Sequence, residues 1–288
     1  MKTRSIRSCL LLASALIAAA NLSAQAPKVA FPAASPACTL KQRVGLTDIE
    51  ITYSRPSAKG RVIFGGLVPY GEVWRTGANQ ATKVVLSTPV KLNGTEVPAG
   101  TYGLFTIPSE TEWTIILNKV PDQWGAYQYN AANDFVRFKA TPEKLAQPVE
   151  TFTIGLNDLR DESATLRLSW EKTLVPVKLE VDVAARLAPQ IEAALAAPSG
   201  KPYDQAAMFY LEHDLDLKKA AAWIEAAIAE RPGQFYLLYH KARILAKMGD
   251  KTGAIAAARQ SIELAAKDNG VAKVEYTRLN EALIASLQ

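Results

Sequence analysis

Histidine and cysteine are scarce in this chain of 288 residues, which contains only two of each. Both histidines, His213 and His240, lie in the last third of the sequence, whereas Cys9 and Cys38 lie near its start. The middle of the chain therefore has no histidine for a Ser–His–Asp triad and few of the usual zinc ligands. No phosphate-binding glycine loop or dinucleotide-binding fingerprint occurs either. We expect no metal ion and no cofactor, and we interpret both histidines as surface residues of a helical segment.

A large excess of one charge is also absent, because 33 lysines and arginines accompany 28 acidic residues, giving a formal net charge of +5. Lys2, Arg4 and Arg7 supply part of that excess from a segment that we expect to be cleaved. The other positive charges are spread evenly and do not form the concentrated basic patch of a nucleic-acid-binding protein. We therefore expect no nucleic-acid partner.

Hydrophobic runs are short, and the longest one extends from Leu10 to Ala20 directly after the basic start. A basic start, a short apolar run and small residues around Ala24 are typical of a secretory signal peptide. The alternative is a membrane anchor, but a helix needs about 20 apolar residues to span a bilayer. We predict a signal peptide over residues 1–24, a periplasmic or secreted protein, and no transmembrane span. Cleavage leaves Cys38 without an internal disulfide partner.

Residues 38–182 have the two-residue periodicity of β-strands. The segments Ile49–Tyr53 and Thr165–Trp170 alternate apolar and polar side chains, as in a sheet with one face against a core. Turn signals such as Asn93-Gly94 separate about eight such segments. We predict an antiparallel β-sandwich here, with a closed barrel as the alternative. Residues 25–37, which are rich in proline and small residues, are predicted to be an extended linker.

The periodicity becomes helical near residue 183 and stays so to the end of the sequence. Similar residues recur 34 positions apart, for example Leu211 with Leu245 and Ala220 with Ala254. This is the period of the tetratricopeptide repeat, although chance periodicity in a helical bundle is an alternative. We predict an all-α domain with tetratricopeptide-like repeats over residues 183–288, and hence an α+β chain of two domains.

The predicted repeats are too few to form a long peptide-binding superhelix. In the 34-residue register, the inner faces of their first helices carry Phe209 and Tyr239. We expect this surface to cover part of the β-sandwich. The alternative is that it binds a short segment of a protein partner, which must overcome the entropy cost of association.

Irregular segments rich in aromatic and charged residues interrupt the β pattern and form the candidate site. Aromatic rings offer flat apolar faces, and arginine offers a planar fork of donors for carboxylates, phosphates or sugar hydroxyls. Loops at the end of a sandwich commonly carry such groups. We predict a binding pocket for a small polar or anionic molecule or a glycan, with purely structural roles as the alternative. The predicted pocket residues are Arg55, Arg61, Glu72, Trp74, Arg75, Asn79, Trp124, Tyr127 and Tyr129.

Five short motifs follow one another through the β segment. They are Tyr-Ser-Arg-Pro at 53–56, Lys-Gly-Arg at 59–61, Trp-Arg-Thr-Gly-Ala-Asn-Gln-Ala-Thr at 74–82, Pro-Ala-Gly-Thr-Tyr at 98–102 and Gln-Trp-Gly-Ala-Tyr at 123–127. Residues 37–182 thereby resemble an uncharacterised bacterial family, domain of unknown function 2911. The resemblance implies a secreted or periplasmic location, often with a helical repeat tail. It implies no established reaction, so no catalytic residue is assigned.

We expect an exported, non-enzymatic binding module whose sandwich binds the ligand and whose helical repeats support it or dock a partner. A carboxylate-dependent hydrolase or lyase is one alternative, with Glu72 as general base and Arg75 as a stabilising group. The sequence shows no second carboxylate at a defined spacing from Glu72. A structural envelope protein is the other alternative.

Overall fold

The structure is a computed structural model that describes residues 31–267 and 270–288. The predicted signal peptide over residues 1–24 lies outside these residues. The chain is α+β, since two antiparallel sheets precede six helices in the described part. No helix among the described residues is long and apolar enough to cross a membrane.

The β half of the described chain contains ten strands, which lie in two sheets. One sheet has six strands in the order β1-β2-β3-β6-β7-β8, and the other has four in the order β5-β4-β10-β9. The strands are β1 Ala37–Val44, β2 Thr47–Ser54, β3 Thr82–Leu86, β4 Val90–Leu92, β5 Thr95–Val97, β6 Gly100–Ile107, β7 Trp113–Asn118, β8 Asp134–Ala140, β9 Glu143–Asn157 and β10 Ser163–Glu180.

Strand β2 shows how the apolar pattern orients the sheet. Ile49, Ile51 and Tyr53 are buried between the sheets, as their alternation predicts. The intervening Asp48 lies on the opposite face, where it pairs with Arg43 of β1 at 2.7 Å. Burial of each large apolar side chain contributes about 1.5–3 kcal/mol, so the alternation fixes which face of the strand meets the core.

A cluster of aromatic rings joins the two sheets. Trp113 of β7 belongs to the six-stranded sheet, whereas Phe152 of β9 and Trp170 of β10 belong to the four-stranded sheet. These rings contact Trp74 and Phe64, with centroid separations from 4.8 to 6.3 Å. Edge-to-face contacts of this kind stabilise a core beyond the burial of apolar area.

Six helices form the helical half of the described chain. They are α1 Val183–Ala196, α2 Tyr203–Glu212, α3 Leu217–Glu230, α4 Phe235–Lys247, α5 Lys251–Ala265 and α6 Ala272–Leu287. Asp216 and Asp250, one 34-residue period apart, cap α3 and α5 by accepting backbone N–H groups of the first turn. The small residues Ala220 and Ala254 are fully buried, which allows neighbouring helices to approach closely.

The two halves contact each other at the start of α1. Phe209 and Leu187 pack against the sandwich core. Oε1 of Glu162, in the β9–β10 loop, accepts backbone N–H groups of Val183 and Ala184 at 3.1 Å. Of the two aromatic residues expected to cover the sandwich, Phe209 lies against it. The other, Tyr239, packs against Tyr276 of α6, with ring centroids 5.6 Å apart.

Both histidines are more buried than the sequence suggested. The side chain of His213 is 11% exposed and lies beside Phe209 at the junction of the two halves. His240 contacts the rings of Tyr236 and Tyr239, and its Nδ1 is buried without a hydrogen-bond partner. Burial lowers the pKa of His240 to about 4. Aromatic rings therefore cover helix faces that the sequence pattern assigned to solvent.

Candidate functional site

The candidate site is built on two loops over the outer face of the six-stranded sheet. The first, residues 75–82, is called the arginine loop here. It leaves the sheet after Trp74, which pairs with Thr106 of β6 through backbone hydrogen bonds of 2.8 and 2.9 Å. Its ends meet again where the backbone N–H of Thr82 donates to the carbonyl of Arg75 at 3.2 Å. The arginine loop is thus a closed loop that ends at the first residue of β3.

The second loop, residues 119–130, is called the aromatic loop. It lies antiparallel to the arginine loop, because Ala81 N–H donates to the Gln123 carbonyl and Gly125 N–H donates to the Asn79 carbonyl, both at 2.9 Å. The side-chain amide of Gln123 is buried, and its Nε2 donates to the Val120 carbonyl at 2.7 Å. Backbone pairing holds the two loops together, and this buried amide stabilises the aromatic loop from within.

A small apolar cluster fixes the loops to the sheet. Phe105, Ile116 and Ala81 are buried there, and the ring of Tyr129 packs on Phe105 at 5.0 Å. The hydroxyl of Tyr129 donates to Oδ2 of Asp134 at 2.6 Å. Burial, followed by this carboxylate, raises the pKa of Tyr129 to about 12. Tyr129 therefore anchors the aromatic loop, and its hydroxyl is already engaged.

Arg75 lies at the base of the arginine loop with a half-buried side chain. Side chains alternate along extended backbone, so Arg75 points away from the core in which its neighbour Trp74 lies. Its Nε is buried and has no hydrogen-bond partner. Burial lowers the pKa of Arg75, and the nearby phenol of Tyr127 partly opposes that change. No carboxylate among the described residues pairs with this guanidinium.

Two exposed aromatic side chains lie on the aromatic loop, and one of them, Tyr127, is near Arg75. Trp124 is 61% exposed and Tyr127 is 84% exposed, unusual values for rings held by an ordered loop. Gly125, with φ of +68°, allows the ring of Tyr127 to fold onto the backbone, since a Cβ there would lie 2.7 Å from that ring. Trp124 is paired with Gln80 across the two loops, which places their side chains on one face.

The remaining predicted residues lie elsewhere or have structural partners. Trp74 is buried in the aromatic core, where its Nε1 donates to the Gly77 carbonyl at 3.1 Å. Arg55 donates to the Phe152 carbonyl and to Thr153 Oγ1, which ties β2 to β9. A ligand has no access to the ring of Trp74, and the Nε and Nη2 of Arg55 already donate to β9.

Arg61, Glu72 and Asn79 complete the predicted set. Arg61 is exposed, and its guanidinium donates to the backbone carbonyls of Ser57 and Ala58. Glu72 is exposed and has no side-chain partner among the described residues. The amide of Asn79 donates to the Ser35 carbonyl at 3.2 Å. Of the predicted residues, the structure places Tyr127 near Arg75 and Trp124 on the same aromatic loop, which the Asn79 carbonyl joins by accepting the Gly125 N–H.

Two glutamines that belong to this site were not among the predicted residues. Gln123 stabilises the aromatic loop from within, and Gln80 lies beside Trp124 with an exposed side chain. Both occur in motifs that the sequence analysis identified. Their uncharged amides carried no further signal of function, because only the pairing of the loops shows which side chains are neighbours.

A separate cavity of about 630 Å³ opens between β4, β5 and the start of α1. Its lining includes the acidic residues Glu96, Glu162, Glu180 and Asp182, and none of the predicted site residues. No group of three or more histidine, cysteine or acidic residues in the described part of the chain is arranged to hold a metal ion. The cavity and the two loops are therefore distinct features.

In the comparison with known proteins, only the β half of the chain matches a known family. A family model described as "Protein of unknown function (DUF2911)" matches residues 35–179, about half of the chain. This match confirms the resemblance drawn from the five motifs, and it includes both loops of the candidate site. No curated protein and no solved structure matches the chain.

Proposed function

We propose that this chain, which belongs to the DUF2911 family of unknown function, is an exported, non-enzymatic module that binds a small anionic ligand at Arg75. One observation carries the proposal: among the described residues, the half-buried guanidinium of Arg75 has no carboxylate partner, and its buried Nε has no hydrogen-bond partner. Buried charged groups in folded proteins are ordinarily paired. An anionic ligand at the exposed part of this half-buried side chain supplies the opposite charge that no carboxylate among the described residues provides.

The surroundings of Arg75 suit a small ligand with an apolar face. The rings of Trp124 and Tyr127 are largely exposed and offer flat surfaces on which such a face packs. Charge-assisted hydrogen bonds to a guanidinium are about twice as strong as neutral ones. The guanidinium then makes the site specific for an anionic group, and the two rings supply most of the contact area with the ligand.

The proposed setting of this module is outside the cytoplasm. The support for export is the sequence of residues 1–24, with its basic start and short apolar run. We assign the β half and the helical half to separate domains, the second built from tetratricopeptide-like repeats that support the first. The equivalent caps of Asp216 and Asp250 favour that assignment. The exposed, unpartnered Glu72 gives catalysis no comparable support.

A thermal-shift screen of the purified protein tests the proposal. A ligand that binds only the folded state raises the unfolding temperature, and the rise grows with the logarithm of its concentration above Kd. We expect stabilisation by at least one class among small carboxylates, phosphates and sulfates, with loss of the effect in Arg75→Gln. Arg61→Gln is the matched control, because Arg61 is exposed and donates only to backbone carbonyls. An equal response of both variants contradicts the proposal.

A further inference from the structure

The charge balance around the two loops favours a singly charged ligand group. Lys83, next to the arginine loop, pairs with Asp122 of the aromatic loop. Arg75 is then the half-buried cation of the site, and the other cation in these loops, Lys119, is exposed. A single guanidinium matches a carboxylate in both charge and planar geometry. A phosphate, with a charge near −2, ordinarily needs further cationic or N–H donors.

A second set of side chains favours a ligand that carries hydroxyl groups on a ring. The pairing of Gln80 with Trp124 sets an exposed amide beside an exposed indole ring. An amide both donates and accepts hydrogen bonds, which suits hydroxyl groups. The indole offers a face to the C–H surface of a saturated ring. Among small polar molecules, a sugar presents both features together.

From these two observations we infer that the ligand is a sugar acid, a uronic acid residue that is free or part of a chain. Its carboxylate binds the guanidinium of Arg75, its ring packs on Trp124, and its hydroxyl groups bond to Gln80. The inference rests on the proposed function, because it specifies the anion that Arg75 binds. Tyr127, on the same loop as Trp124, lies near Arg75 and offers a second ring to the ligand.

Calorimetric titration with galacturonate and with galactose tests the inference, because these sugars share a ring and differ in the carboxylate. Glucuronate and glucose serve as a second pair. We expect the acid of at least one pair to bind about tenfold or more tightly than its neutral partner. Arg75→Gln should remove this preference, and Arg75→Lys, which keeps the charge without the fork, should weaken it. Arg61→Gln should leave it unchanged.

Trp124→Ala provides a readout that does not depend on charge. The side chain is 61% exposed, so its removal should leave the fold intact, and it should weaken binding of the acid by about fivefold or more. Binding should also quench indole fluorescence, and Trp124→Ala should remove that quenching, because Trp74, Trp113 and Trp170 are buried and Trp223 lies in α3 of the helical half. An unchanged affinity in Trp124→Ala would contradict the proposal that the sugar ring packs on Trp124.

The outcomes separate this inference from the proposed function. If acetate, phosphate or sulfate binds in an Arg75-dependent manner while neither uronate does, the sugar assignment is wrong and the anion site stands. If galactose binds as tightly as galacturonate, the role of the carboxylate is wrong. If none of these probes binds in an Arg75-dependent manner, both the anion site at Arg75 and the sugar-acid ligand are wrong.

Discussion

Nδ1 of His213 lies 3.2 Å from Oε1 of Glu162, directly where the helical half meets the sandwich. The same oxygen accepts the first backbone N–H groups of α1, from Val183 and Ala184. The carboxylate of Glu162 therefore accepts hydrogen bonds from the free N–H groups at the start of α1, and it also contacts His213, the residue that follows α2. The negative charge is also favourable at the N-terminus of a helix. This arrangement holds the helices against the edge of the β half.

Replacement of Glu162 by alanine should weaken this junction. The change removes the acceptor for two N–H groups, and loss of a helix cap typically costs about 0.5–2 kcal/mol. Denaturant unfolding of Glu162→Ala should show a loss of about that size. Asp161→Ala is the control, since the side chain of Asp161 is exposed and makes no hydrogen bond among the described residues. Equal losses in the two variants would argue against the capping role.

A second prediction concerns Gly45, in the turn between β1 and β2. Its φ is +53°, and a Cβ there would lie 2.5 Å from Cγ2 of Val183 and 2.7 Å from the Asp161 carbonyl. Gly94 also has positive φ, at +80°, but nothing lies within 4 Å. Gly94→Ala should cost about 1 kcal/mol from backbone strain alone, and Gly45→Ala about 2–4 kcal/mol. Similar losses of unfolding free energy would refute the close approach of α1.

His240 should make the stability of the helical half depend on pH. Burial lowers its pKa from 6.5 to about 4, so below neutral pH the unfolded state binds a proton before the folded state does. Stability should therefore fall as pH decreases from about 7 toward about 4, by about 2 kcal/mol at pH 5. Denaturant unfolding followed by circular dichroism at several pH values measures this fall. In His240→Gln the fall should be correspondingly smaller, and parallel curves for the two proteins would contradict the assignment.

Gly125 should be required for the arrangement of the aromatic loop. A Cβ at this position meets the ring of Tyr127, so Gly125→Ala should displace the ring from the region of Arg75. We expect about two- to fivefold weaker binding of an anion that binds at Arg75. Gly60→Ala is the matched control, because Gly60 has φ of +70° and no atom within 4 Å. Titration calorimetry of both variants makes the comparison, and equal affinities would exclude a role for Tyr127.

The sequence predicted the regular elements well wherever one face of an element is buried. The alternation in β2 and the helical spacing after residue 183 both match the structure. Strands β1, β4 and β5 were not predicted. The first is an edge strand after a proline-rich segment, in which only Val44 is buried, and the other two contain three residues each. Short or solvent-facing strands carry too few apolar residues to show a period.

The candidate site was only partly predictable, as Trp74 and Trp124 illustrate. Both lie in motifs that mix aromatic residues with glycine, and the sequence analysis assigned both to the pocket. The backbone pairing of Trp74 with Thr106 turns the first ring into the core, whereas the pairing of Trp124 with Gln80 leaves the second exposed. The direction of a side chain in an irregular segment depends on its partner strand, which local sequence does not specify.

The most direct test of an anion site at Arg75 is the NMR signal of its Nε–H group during titration with an anion that stabilises the protein. The account predicts that this resonance, assigned by its absence in Arg75→Gln, moves with the same saturation curve as the stabilisation. The buried Nε has no partner among the described residues, so an anion bound at the exposed part of the same guanidinium should change its shift. A resonance that stays in place while the anion saturates the protein would contradict the account.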